Sequence, residues 1–266
     1  MARSAILNVM VAAATKAGRA LTRDFGEVEN LQVSRKGPGD FVTAADHRAE
    51  KILREELQRA RPGYSLLMEE SGTIEGTDAQ HRFIVDPLDG TTNFLHGIPI
   101  FGISIALERQ GQIVAGVIYN PVMDELYTAE KGNGAFLNNR RLRVAGRATM
   151  TDCVIGTGIP HLGRGDHGRA LMELRHVMGE VSGIRRAGAA AIDLAWVASG
   201  RLDGFWEHDL KSWDMAAGLL MIREAGGYVS DATGGEKIFE TGSVVAGNEF
   251  IHHGLLDLLK KARKPA

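Results

Sequence analysis

The chain has 266 residues, with 31 lysines and arginines against 33 aspartates and glutamates, a formal charge of −2. That near balance excludes a strong electrostatic drive toward nucleic acid or an anionic membrane surface. A composition of 44% apolar and 24% charged residues excludes wholesale disorder. Cys153 is the only cysteine, which rules out an intrachain disulfide and a cysteine-rich metal site and fits a reducing, cytoplasmic compartment. The 33 glycines, roughly 12% against a usual ~7%, point to many tight turns or close approaches of backbone to a ligand.

Leu7, Met10, Val11, Ala14 and Gly18 recur at helical spacing and predict an amphipathic first helix over about residues 3–24. Asn8 interrupts the apolar run a signal peptide would need, and no apolar run reaches the ~18 residues of a membrane span. Lys36-Gly37-Pro38-Gly39-Asp40 is turn chemistry. Ala45, Ala49, Ile52, Leu53 and Leu57 form the buried stripe of a second helix over 44–60, stopped by Pro62-Gly63. Tyr64–Met68 is a predicted strand running into Glu69-Glu70-Ser71-Gly72, with residues 72–80 expected as a mobile flap. His81–Val85 is a second buried strand that should end at Asp86-Pro87. Segments 101–107, 113–119 and 125–129, separated by short turns, predict an antiparallel meander.

The second half changes character. Helical patterns at 166–179, 189–199, 214–225 and 249–262 alternate with short strands near Val154, Phe205, Tyr228 and Val244. Cys153 is expected in a strand and His252-His253 on an exposed helix face. Strands first, then helix–strand alternation, predict one layered α+β or α/β unit with two lobes, roughly 1–147 and 148–266.

The chemistry concentrates in Phe83-Ile84-Val85-Asp86-Pro87-Leu88-Asp89-Gly90-Thr91-Thr92-Asn93-Phe94. A buried strand delivers two carboxylates three residues apart, Pro87 fixes φ between them, and Gly90 lets backbone approach a ligand. A short helix starting at Thr91 would offer free N–H groups to a phosphate. Hard divalent cations require oxygen ligands, and Mg²⁺ works with a few carboxylates, water and substrate phosphate. Glu69-Glu70 ends the preceding strand and should fall beside Asp86 if the two strands are neighbours; Asp214 opens a late helix. Each piece also has a plain structural use: Asp-Pro-x-Asp-Gly as a turn, Glu-Glu-Ser-Gly as a solvated strand end, Asp46 and Asp214 as helix caps. Their joint occurrence in order is what argues for a site.

These stretches resemble the inositol monophosphatase family of Mg²⁺-dependent phosphomonoesterases. The resemblance rests on Asp40-Phe41-Val42-Thr43-Ala44-Ala45-Asp46, Glu69-Glu70-Ser71-Gly72, Asp86–Phe94, and Trp213-Asp214-Met215-Ala216-Ala217-Gly218 followed by Glu224-Ala225-Gly226-Gly227, and it covers nearly the whole chain. It implies an αβαβα sandwich, a homodimer, two or three Mg²⁺ ions and sensitivity to Li⁺. It also implies that Glu69, Asp86 and the Leu88 carbonyl hold one ion, that Asp86, Asp89 and Asp214 hold a second, and that Glu69 touches a third through water. Thr91 with Asp46 would orient and help deprotonate the attacking water, and the Gly90 and Thr91 amides would hold phosphate. Glu207 would accept polyol hydroxyls, with Gly188, Ala189 and Ala190 lining the pocket and Asp193 nearby. Met68 departs from the glycine the family often carries before Glu69.

No P-loop, dinucleotide fingerprint or His-Glu-x-x-His is present. The implied substrate is a small phosphorylated polyol, foremost inositol 1-phosphate. Relatives on this scaffold acting on fructose 1,6-bisphosphate, histidinol phosphate or 3′-phosphoadenosine 5′-phosphate are the alternatives. Paired Arg185 and Arg186 facing the site would suit a second phosphate. The basic clusters Arg140-Arg141-x-Arg143-x-x-x-Arg147 and Lys260-Lys261-x-Arg263-Lys264 motivate a rival of another class, a protein that binds RNA or a transcription complex.

Overall fold

A computed structural model describes residues 3–27, 33–37, 40–163 and 165–263. Pro38 and Gly39 of the expected turn and Lys264 of the basic tail lie outside the described residues. In chain order the elements are α1 (Ala5–Phe25), β1 (Val33–Gly37), β2 (Asp40–Thr43), α2 (Ala44–Ala60), β3 (Tyr64–Met68), β4 (Gly72–Ile74), β5 (Asp78–Asp89), α3 (Thr91–Leu95), β6 (Gly102–Arg109), β7 (Gln112–Asn120), β8 (Glu125–Glu130), β9 (Gly134–Leu137) and β10 (Arg140–Arg141). The second half adds β11 (Val154–Thr157), α4 (His167–Met178), β12 (Gly183–Arg185), α5 (Ala190–Ala198), β13 (Gly204–Glu207), α6 (Ser212–Glu224), β14 (Tyr228–Ser230), α7 (Ile238–Thr241), β15 (Val244–Gly247) and α8 (Glu249–Ala262).

An eight-stranded sheet has the order β10-β9-β8-β7-β6-β5-β3-β4, and a five-stranded sheet the order β12-β11-β13-β15-β14. Alternation along the strands assigns side chains to layers. Phe83 and Val85 of β5 pack with α1 and α2, whereas Ile84 between them joins α5 and α6 in the centre. Phe205 of β13 faces that same centre, while Trp206 faces a third cluster with α4 and α8. The result is helix pair, sheet, helix pair, sheet, helix pair, the expected αβαβα sandwich. Composition matches position in this stack. The outer α1 buries one stripe, including Leu7, Met10, Ala14, Ala17 and Leu21, whereas every α5 residue except Trp196 and the whole run Met215–Ile222 of α6 are buried. A helix apolar all round needs cover on both sides.

Four local expectations are corrected. Residues 72–74, expected in a flap, form edge strand β4, paired antiparallel to β3 from Met68↔Gly72 to Leu66↔Ile74. Cys153 precedes β11 rather than lying within it, at the end of a short turn where its Sγ donates to Thr149 O at 3.2 Å. His252 is buried, because α8 turns it toward β14 and its Nε2 meets Ser230 Oγ at 2.8 Å. The fourth concerns β5, which does not stop at Asp86-Pro87. It continues through Asp89 with a bulge, the pairing jumping from Asp86↔Ser104 to Asp89↔Gly102. Pro87 has no N–H to give the ladder, so the extra residue is accommodated there.

Candidate active site

The bulge decides the site. Two residues of β5, Pro87 and Leu88, oppose one of β6, Ile103, so Asp86 and Asp89 lie opposite Ser104 and Gly102 and face the same side of the sheet, toward α5 and α6. Leu88, within the bulge, packs on the other side. The parallel pairing of β3 with β5 ends at Met68↔Val85, and Glu69 N–H donates to Val85 O at 3.2 Å, so Glu69 emerges beside Asp86 as expected. Met68, the departure from the family pattern, is buried in the α1/α2 layer. Asp214 arrives from the first turn of α6, whose entry is anchored by Ser104 Oγ donating to Trp213 O at 2.9 Å. Sequence reasoning missed Ser104; its signal is a polar residue at an inward position of an apolar strand.

Glu69, Asp86, Leu88, Asp89, Gly90, Thr91, Gly188, Ala189, Ala190, Glu207 and Asp214 all line one cleft of about 590 Å³. Asp46 stands behind it: Thr91 Oγ1 donates to Asp46 Oδ1 at 3.0 Å, with Leu88 O as a second acceptor at 3.1 Å. The other Asp46 oxygen caps α2, accepting Thr43 N–H at 2.9 Å and Thr43 Oγ1 at 2.5 Å. Gly90 sits at φ +89, and a Cβ there would lie 3.0 Å from Ile100 O and 3.1 Å from Ala189 Cβ, so a side chain would be both strained and crowded. Asn93 Nδ2 donates to Ile100 O at 2.7 Å and to Ala187 O at 2.8 Å, tying α3 to the loop before α5.

The electrostatics are those of crowded acids. Burial, then repulsion from Glu69, Asp89 and Asp214, pushes Asp86 well above the usual carboxylate range. Burial and Asp214 do the same to Asp89. Asp214 is raised to about 7, first by burial and then by Glu69. Asp46 is raised mainly by burial.

The second sheet supplies the other wall. Glu207, at the end of β13, is raised to about 8 by burial and by repulsion from Asp193 and Asp214, with Arg186 opposing. Asp193, in the first turn of α5, is buried, is pushed well above its ordinary range by burial and then by Asp89, and leaves Oδ1 without a hydrogen-bond partner. Arg186 lines the cleft. Arg185 is exposed and bonds its neighbour's carbonyl, Nη1 to Ile184 O at 3.0 Å. The two arginines therefore do not face the site as a pair. Thr157, Gly158 and Pro160 also line the cleft and carry no signal in the sequence pattern.

Three of the carboxylates divide their oxygens between structure and cleft. Asp86 Oδ1 accepts Leu88 N–H at 2.9 Å, Asp89 Oδ2 accepts Ala191 N–H at 2.7 Å, and Asp214 Oδ2 accepts Lys211 N–H at 2.7 Å. Each carboxylate thus has one oxygen engaged by backbone. Asp86 stands carboxyl to carboxyl against Glu69 and Asp214, a contact that needs shared protons or a cation. Among the described residues, no three acidic, histidine or cysteine side chains are closed around a single point as they stand. The fit to Mg²⁺ is one of chemistry: hard oxygen donors only, and repulsion that a divalent cation would relieve.

The sequence matches the description of the inositol monophosphatase family along residues 2–264. The chain belongs to this family. It is 70% identical over 261 residues to the inositol-1-monophosphatase of Mesorhizobium japonicum, covering 98% of each chain. It is 42% identical over 265 residues to the Nus factor SuhB of Pseudomonas aeruginosa, again covering 98% of each. Among solved structures, extragenic suppressor protein suhB from Bartonella henselae superposes with a TM-score of 0.95 at 65% identity, covering 97% of this chain and 99% of that one. The sandwich expected for an inositol monophosphatase is thus the fold observed, and among the described residues no helix is long and apolar enough to cross a membrane.

Proposed function

We propose that the chain is a Mg²⁺-dependent phosphatase that hydrolyses a small phosphorylated polyol, inositol 1-phosphate foremost. The observation that carries this is the convergence of Glu69, Asp86, Asp89 and Asp214 on a cleft that Glu207 and Gly188–Ala190 also line. The relatives named inositol-1-monophosphatase supply the substrate class.

In this reading Glu69, Asp86 and Leu88 O hold one Mg²⁺, Asp86, Asp89 and Asp214 a second, and Glu69 a third through water. Bound Mg²⁺ supplies a water of lowered pKa and stabilises negative charge on the leaving oxygen. The chain's own residues position and move protons. Thr91 Oγ1, held by Asp46, takes a proton from the attacking water and passes its own to Asp46 Oδ1. Burial makes Asp46 more basic and so a better acceptor. The Gly90 and Thr91 N–H groups hold phosphate, and Glu207 bonds the polyol hydroxyls, the ionised form accepting. Neutralising Asp214 removes one source of the repulsion that holds the Glu207 pKa up. No residue is required to form a phosphoenzyme. A homodimer, a cytoplasmic location and inhibition by Li⁺ belong to the same reading and rest on the family resemblance.

The test is phosphate release from inositol 1-phosphate, fructose 1,6-bisphosphate, histidinol phosphate and 3′-phosphoadenosine 5′-phosphate, with Mg²⁺ and with chelator, beside Asp86→Asn. Preference for inositol 1-phosphate, abolished by chelator and lowered on the order of a thousandfold or more by Asp86→Asn, is expected. Near-normal turnover by Asp86→Asn sinks the metal assignment.

A second reading, binding of RNA or a transcription complex, is motivated by relatives named Nus factor SuhB. The basic clusters give it little support. Arg147 pairs with Asp203 at 2.8 Å, Arg263 Nη2 donates to Ala232 O at 2.6 Å, and Arg141 lies over Phe136 at 6.0 Å. Its mark would be salt-dependent RNA or protein binding that survives Asp86→Asn.

A further inference from the structure

Glu207 is flanked by two residues that point the other way. Along β13 and its continuation, Trp206 and His208 face α4, and Glu207 between them faces the cleft. Both flanking side chains end on one carboxylate, that of Glu173 on α4. Trp206 Nε1 donates to Glu173 Oε2 at 3.1 Å, and His208 Nε2 lies 3.0 Å from both Oε1 and Oε2. Glu173 is 1% exposed, and burial that deep is costly for a carboxylate unless it is paired, as Trp206 and His208 pair it here. The end of β13 and the residue after it are thus clamped at residues 206 and 208 to the outer helix layer.

The Glu207 side chain also fills a defined slot. The parallel pairing of β11 with β13 reaches Thr157↔Trp206, which sets Gly158 beside Glu207. A Cβ on Gly158 would lie 1.8 Å from Glu207 Oε1 and 1.9 Å from its Cδ, so the carboxylate lies in space that only glycine leaves open. The Glu173 clamp fixes the backbone on either side of Glu207, and with it the point from which that side chain reaches the space above Gly158.

We propose that Glu173 is a positioning residue for polyol selectivity: by holding Trp206 and His208 it fixes the direction in which Glu207 meets the substrate's hydroxyls. The inference rests on the reading of Glu207 as the polyol contact. It assigns Glu173 no part in the phosphate chemistry, because Glu173 does not line the cleft that holds Asp86, Asp89 and Asp214 and its carboxylate bonds Trp206 and His208 instead.

The experiment compares KM and kcat for inositol 1-phosphate and for 4-nitrophenyl phosphate, an ester without hydroxyls, in the full-length Mg²⁺-loaded protein. Glu207→Ala is the reference and should raise KM for inositol 1-phosphate alone. Glu173→Met keeps the volume and removes both acceptors; it should raise the same KM roughly tenfold, with both constants for 4-nitrophenyl phosphate within about twofold of the parent. Glu173→Gln, which keeps one acceptor oxygen, should recover part of the loss. If Glu173→Met does not fold, Trp206→Phe and His208→Ala remove the partners singly and should each raise that KM by about threefold. A selective effect of Glu207→Ala with none from the Glu173, Trp206 or His208 variants overturns the inference and leaves Glu207's role intact. An equal loss on both esters also overturns it, because that marks a general structural role. No selective effect of Glu207→Ala overturns the reading beneath it.

Discussion

The two walls of the cleft are built by opposite means. The wall from the eight-stranded sheet comes from short contiguous motifs whose own backbone fixes them. One β-bulge aligns Asp86 with Asp89, one strand pairing sets Glu69 beside them, and each aspartate binds an N–H within three residues or on the facing helix. The wall from the five-stranded sheet is assembled from distant segments. Glu207 depends on a glycine 49 positions earlier and a buried glutamate from α4, and its neighbours Asp193 and Arg186 come from the loop and turn that open α5. In the proposed reading, local construction serves chemistry common to every phosphate ester, while long-range construction leaves the wall that would meet the polyol adjustable through residues that never touch the ligand.

That contrast can be broken first at the acid wall. Thr91→Ala is expected to lower kcat by roughly 10²–10⁴ while Mg²⁺ affinity by calorimetry stays within about twofold, since Thr91 Oγ1 bonds Asp46 and the proposed reading gives it no ion. Weakened Mg²⁺ binding with intact turnover would reverse the assignment. A second effect concerns acidity. Without divalent cations, Asp86 and Asp89 sit well above the ordinary carboxylate range, Asp214 near 7 and Glu207 near 8. Each holds more protons folded than unfolded, so its stabilising contribution is complete below the ordinary carboxylate pKa. It is lost as pH rises through the folded values. In chelator the melting temperature should therefore fall between about pH 5 and pH 9, and Mg²⁺ should remove most of that slope. A flat profile in chelator would mean that the acids are not in conflict. The smallest effect expected is that of Ser104→Ala. It deletes the bond to Trp213 O and should destabilise by about 1 kcal/mol, read by urea denaturation, with Mg²⁺ affinity falling as Asp214 loosens. Unchanged affinity would show that α6 is fixed without it.

The same contrast explains what the sequence disclosed. Helix α2 and strand β3 are found at the limits their patterns predict, Ala44–Ala60 and Tyr64–Met68, because one apolar stripe and one short buried run define each. The plain reading of Asp46 and Asp214 as helix caps holds at the level of atoms, one carboxyl oxygen of each accepting an N–H at the helix start, while the other Asp46 oxygen accepts the Thr91 hydroxyl and Asp214 also lines the cleft. What stayed hidden depends on pairing. The register jump after Asp86 requires knowing that β6 lies opposite, Ser104 gains meaning only from its contact with Trp213, and Glu173 looks like any helical glutamate until α4 is docked. His252 misled for the same reason, since a polar pair on a helix gives no sign of which face another element covers.

The irregularity at Pro87-Leu88 has a genetic consequence. Deleting one residue there would leave both aspartates in the gene product and all neighbouring words of the motif nearly intact. It would restore plain alternation and keep both carboxylates on one face, but it would nonetheless remove the bulged peptide whose Leu88 N–H binds Asp86 Oδ1 and whose Leu88 O accepts Thr91 Oγ1. At this point in the chain, counting residues matters as much as choosing them. A homologue missing one residue between these two acids should be suspected of having lost the chemistry even if both are present.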